Sequence, residues 1–176
     1  MPRTHIKALT YAPKIPGVLS GKITQTIRPL PVSPVIYNRP TLEQREKMRR
    51  KQKLGTVRPG DSILFHGWEG KPYRSPWSWR LKVQVDAVYF TKIYKEGIAR
   101  PQLSEMELNT PTARLGFLPW SACDNLAWAD GIKGGKTMGE VFNSMYRLES
   151  YYGNAIDSKA TKYFQIIRWS WPPVEG

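Results

Sequence analysis

An α+β domain rich in strands is what the sequence predicts, on three observations. Residues Trp77 to Val85 alternate without a break, with Trp77, Trp79, Leu81, Val83 and Val85 on one face and Ser78, Arg80, Lys82 and Gln84 on the other, the period of a half-buried strand. Residues 20 to 28, read as a strand, set Lys22, Thr24, Thr26 and Arg28 on one side and Ile23, Gln25 and Ile27 on the other. From Thr137 the period becomes helical: Thr137 and Glu140 form a capping box, and Met138, Val141, Phe142, Met145 and Leu148 make one apolar face. At 176 residues the chain has the size of a single domain, 1–176, with one core.

In chain order, a first strand is expected over Ile6 to Tyr11 and is broken by Pro13-Lys14-Ile15-Pro16-Gly17. A short Val18-Leu19 segment leads into the polar-faced strand, which Pro29 ends. Pro29, Pro31, Pro34 and Pro40 make residues 29–40 an extended connector. A helix is expected over 41–54, capped by Thr41 with Gln44, supported by Glu43–Lys47 and Glu46–Arg50 pairs, and stopped at Gly55. Its apolar residues, Leu42, Met48 and Leu54, are too few for a buried stripe, so 29–56 reads as a proline-stiffened basic insertion with a surface helix. The turn Val57-Arg58-Pro59-Gly60-Asp61 opens a strand at Ser62, and residues 66–76 form a long hairpin loop before Trp77. Residues 89–125 give weak signals for a short strand, a loop and a turn of helix; Leu126 to Ile132 is a short segment closed by Asp130-Gly131, and 162–171 is the last strand.

Charge is unevenly spread. The net charge is +13, and residues 1–60 hold thirteen Lys and Arg against Glu43 and Glu46 alone. That concentration suits a polyanionic partner, nucleic acid being the commonest, while the plainer reading is a solvated surface. Cys123 stands alone, which fits a reducing, cytoplasmic setting and leaves no disulfide or cysteine zinc cluster. No run approaches the length of a membrane span, and the N-terminus lacks the apolar core of a signal peptide.

Three groups of side chains carry possible chemistry. The strand face of Lys22, Thr24, Thr26 and Arg28 places two hydroxyls between two cations, a row suited to an anionic or hydrogen-bonding ligand. Arg45, Lys47, Arg49, Arg50, Lys51 and Lys53 around the expected helix can contact phosphates, though such contacts read no base. In the hairpin loop, Trp68 and Tyr73 can stack on unpaired bases with Arg74 beside them, or pack over a sheet edge. His5, His66 and one cysteine make no metal motif, and no cofactor is expected. Gly134-Gly135-Lys136-Thr137 ends like a phosphate-binding loop, but Asp130 stands where that pattern needs its upstream glycine, so it reads as a capped turn.

Gly21-Lys22-Ile23-Thr24-Gln25-Thr26-Ile27-Arg28, then Val57-Arg58-Pro59-Gly60-Asp61, then Ala129-Asp130-Gly131-Ile132, then Phe164-Gln165-Ile166-Ile167-Arg168 together resemble the ASCH (activating signal cointegrator homology) domain over most of the chain. The resemblance implies a small PUA-like β-barrel with flanking helices, the basic segment 29–56 being an insertion between early strands. It also implies an association with RNA or modified nucleosides. The family's lysine, five positions before its arginine, would fall at Ile23; Lys22 is one residue early. In the family's amidohydrolases, which remove the acyl group from N4-acetylcytidine, threonine is the nucleophile, lysine activates it and a glutamate completes the set. Thr26 matches the threonine, and Asp130 lies near the place of the glutamate.

With the lysine displaced and the acid shortened, the sequence favours binding over turnover. The expected function is an RNA-binding or other nucleic-acid-binding domain with a nucleoside-sized pocket lined by Lys22, Thr24, Thr26, Arg28 and Asp130. The alternative is a hydrolase, either a nucleoside amidohydrolase or a ribonuclease, using Lys22, Thr26 and Asp130 as catalytic groups. A second alternative is a protein interaction module that meets an acidic surface through the basic helix.

Overall fold

A computed structural model describes residues 1–9, 12–30, 42, 43, 46, 50, 55–103, 116–132, 138–146 and 163–172. Six strands order the chain: β1 (Thr4–Ala8), β2 (Gln25–Pro29), β3 (Ser62–Trp68), β4 (Trp77–Tyr94), β5 (Gly97–Ile98) and β6 (Tyr163–Trp169). Among the described residues the helices are α1 (Ile15–Leu19), entered through a 3-10 turn at Ala12–Lys14, α2 (Trp120–Ala129) and α3 (Met138–Tyr146). The strands form one sheet in the order β1-β3-β4-β6-β2, with β5 added to β4; β1 and β3 are parallel and the other pairs antiparallel.

β4 decides the shape of the sheet. The strand runs past Val85 to Tyr94, so that its first half pairs with β3 and its second with β6. The register shifts between Val85 and Ala87, and such a bulge bends a strand and increases its twist. β6 lies between two apolar layers, which explains the continuous run Phe164-Gln165-Ile166-Ile167. Ile167 and Trp169 join Val18, Ile23, Phe65, Val83 and Val85, while Phe164 and Ile166 meet Leu126, Ile132 and Phe142 from the helices. Gln165 is fully buried in this strand because both ends of its amide are used: it accepts from Val57 N at 3.0 Å and donates to Gly55 O at 3.2 Å.

The α+β class predicted from sequence holds, but the barrel does not close. β1 and β2 are the two edges of the sheet, and no ladder joins them; Arg28 Nη2 donates to Ala8 O at 3.0 Å across the gap. Each edge strand is only five residues long, and β2 ends in Pro29, which has no N–H to offer a partner. The result is a curled open sheet.

Several local expectations are corrected. The polar-faced strand begins at Gln25, not Ser20, because residues 20–22 turn: Gly21 takes φ +73 with the Trp171 ring against it, and Ile23 N donates back to Gly17 O at 2.9 Å. The short Val18-Leu19 segment is the end of α1, and the first strand covers Thr4–Ala8 rather than Ile6 to Tyr11. Leu126 to Ala129 continue α2, and α3 starts at Met138. The expected helix over 41–54 and the Thr137 cap lie largely or wholly outside the described residues; Leu42, Glu43, Glu46 and Arg50 are exposed. No helix among the described residues is long and apolar enough to cross a membrane.

Candidate active site

The end of α2 places the acid. Asp130 is the C-cap residue, Gly131 follows at φ +79, Gly131 N donates to Trp128 O at 2.9 Å and Ile132 N to Ala127 O at 2.9 Å. This is the Schellman arrangement, with Ala127 and Ile132 supplying its apolar contact in one core cluster. The turn drives the Asp130 side chain inward, where its Oδ1 accepts from Ile27 N of β2 at 2.8 Å. A backbone donor, a helix end and a strand thus converge on one carboxylate that is 6% exposed.

The cation beside this carboxylate comes from a residue that sequence reasoning passed over. Lys14, at the junction of the 3-10 turn and α1, is 3% exposed, and its Nζ donates to Asp130 Oδ1 at 2.6 Å and to Thr26 Oγ1 at 3.3 Å. Its stem runs along Gly131, where a Cβ would meet Ile23 Cδ1 at 2.7 Å and Lys14 Cγ at 3.3 Å. Gly131 is therefore required twice, for its left-handed backbone and for the space that Lys14 and Ile23 share. Ile23, which occupies the place of the lysine implied by the resemblance, is a core residue; the ammonium that reaches Thr26 arrives from Lys14 instead.

Burial shapes the charges. Loss of water pushes the Lys14 ammonium below the ordinary lysine range, with the Asp130 carboxylate opposing and the Arg28 guanidinium reinforcing the shift. The same burial pushes Asp130 above the ordinary carboxylate range, against the favourable charge and hydrogen bond of Lys14, the Ile27 N–H and Arg28. Burial thus works against the charged form of each group, and the Lys14 amine becomes neutral more readily than an exposed lysine.

These groups form the floor of a cavity of about 450 Å³, counted to its open mouth, with Leu9, Arg28, Ile132, Phe142 and Met145 among its walls. Of the residues expected from sequence, Thr26, Arg28 and Asp130 line it together. Lys22 does not: it is exposed in the turn before β2. Thr24 precedes β2, is half-buried and is not part of the lining. Trp68, Tyr73 and Arg74 lie on the β3–β4 hairpin, outside this pocket. Arg45, Lys47, Arg49, Lys51 and Lys53 fall outside the described residues, and Arg50 is exposed. The one signal for Lys14 was its setting, a single cation within Ala12-Pro13-Lys14-Ile15-Pro16.

Searches of protein-family models, of curated proteins and of solved structures find no match to this chain.

Proposed function

We propose that the pocket is the active site of a hydrolase that removes an amide-linked acyl group from a nucleobase, N4-acylated cytidine being the substrate class, on a PUA-like variant whose sheet remains open. The observation that carries this reading is the Lys14 side-chain nitrogen held within hydrogen-bonding reach of both the Thr26 hydroxyl and the Asp130 carboxylate, at the base of an open-mouthed cavity. A free threonine is a very weak nucleophile and needs an adjacent base to take its proton.

In the proposed reaction, neutral Lys14 accepts the Thr26 proton as Oγ1 attacks the acyl carbonyl. The bond from carbonyl carbon to the exocyclic nitrogen breaks, and the Lys14 ammonium returns the proton to the departing amine. Water then attacks the acyl-threonine ester with Lys14 again as base, releasing a carboxylic acid and restoring Thr26. Asp130 orients Lys14, and the Ile27 N–H holds Asp130 in place.

The test is turnover of N4-acetylcytidine followed by its ultraviolet absorbance. The unsubstituted protein is expected to release cytidine and acetate, Thr26→Val to lose that activity while staying folded, and Lys22→Met to retain it. Efficient turnover by Thr26→Val would remove the nucleophile from the scheme. Loss of activity in Lys22→Met alone would restore the base to the turn before β2.

A further inference from the structure

At the far end of β3 the chain builds a cluster of rings that the pocket does not use. His66 stacks on Trp77 with centroids 4.1 Å apart and planes at 17°; Trp68 meets His66 edge-on at 4.9 Å; Tyr73 lies 5.3 Å from Trp68. The Arg80 guanidinium sits over the Trp77 ring at 5.5 Å. The loop bearing Tyr73 is braced within itself: Ser75 Oγ accepts from Gly70 N and donates to Lys71 O, each at 3.0 Å, and Glu69 N donates to Pro76 O at 3.1 Å.

Three features of this cluster work against stability. Tyr73 is 87% exposed and holds φ +62, a left-handed conformation that is unfavourable for any residue with a side chain. His66 Nδ1 and Trp68 Nε1 are buried with no hydrogen-bond partner among the described residues. A bulky ring displayed on strained backbone by a loop braced within itself calls for an explanation. Charge names the occupant: from residue 69 to 82 the chain carries Lys71, Arg74, Arg80 and Lys82 against Glu69 alone. Lys71, Arg74 and Arg80 are exposed.

We infer that the β3–β4 hairpin is a docking platform for single-stranded nucleic acid, with an unpaired base stacked on Tyr73 beside Trp68 and with Lys71 and Arg74 contacting the adjoining phosphates. Every base has a face that a ring can cover, so the platform selects unpaired strands rather than a sequence. Duplex bases are already stacked and present mainly phosphates. The platform stands beside the pocket's wall, since Leu9, which lines the pocket, donates its N–H to His66 O at 2.9 Å. Its test is binding, independent of the hydrolysis proposed for the pocket.

The experiment is fluorescence anisotropy at about 50 mM salt, where phosphate contacts are strong. The probes are a labelled single-stranded RNA of about 12 nucleotides, long enough for a typical single-strand site, its duplex, and a labelled poly-glutamate peptide. Tyr73→Gly relieves the strained backbone, so its melting temperature is expected to hold or rise while its affinity for the single strand falls about tenfold, within the range for losing one stacked base. Tyr73→Phe is expected to bind as before, and duplex affinity to be unchanged by either substitution. The inference is overturned if the unsubstituted protein does not bind the single strand, or if Tyr73→Gly binds it as tightly. It is equally overturned if poly-glutamate binds as well as RNA and both weaken together, which would make the hairpin a cationic surface for acidic proteins.

Discussion

Lys14→Met is expected to lower kcat/KM for N4-acetylcytidine by about a thousandfold, within the roughly 100- to 10,000-fold contribution of a positioned general base. Methionine fills the space beside Gly131 with a similar unbranched stem but supplies no nitrogen to Thr26. The loss should appear in kcat, with KM little changed, because the base acts on the proton that moves in the transition state. In the unsubstituted protein the limb of the pH profile that rises with deprotonation of Lys14 should lie below the ordinary lysine range, since burial lowers that group. Asp130→Asn removes the carboxylate and is expected to shift this limb, a response that loss of packing alone would not give. Unchanged kinetics in Lys14→Met would show that the buried amine is a structural group.

The second large effect concerns stability. Asp130→Ala strands Lys14 in a site that is 3% exposed and leaves the Ile27 N–H without its acceptor. Removing one member of a buried pair costs about 3–5 kcal/mol, so this variant should unfold at much lower denaturant. The double substitution Lys14→Met with Asp130→Asn takes both charges away and keeps an oxygen for Ile27 N; it should recover to within about 1 kcal/mol of the parent, because neutral replacements of buried pairs are often harmless to stability. A folded, stable and inactive double variant would mean that the pair is retained for chemistry. If the double variant is as unstable as Asp130→Ala, the pair is holding the fold.

What the sequence made legible follows from how far each feature reaches along the chain. Thr26 and Arg28 share a face because strand alternation is local, and the inward turn of Asp130 is written in Ala129-Asp130-Gly131-Ile132, where a glycine after the helix end permits the left-handed step. Lys14 was opaque because its role depends on Asp130, 116 residues away, and on a helix that starts where two prolines signalled only a break. Lys22 stands off the pocket face because Gly21, at positive φ, makes residues 20–22 a turn, which strand alternation alone does not signal. The closed barrel failed on the edges of the sheet, where short strands and Pro29 leave no ladder.

The central claim is that Thr26 forms a covalent bond to the acyl group with Lys14 as its base, and the direct measurement is mass spectrometry of the protein acid-quenched during turnover of N4-acetylcytidine. A species heavier by one acetyl group is expected, mapped to the peptide containing Thr26 and missing from both Thr26→Val and Lys14→Met. Cytidine release that continues in Thr26→Val, with no acyl adduct in the unsubstituted protein at any quench time, would contradict it.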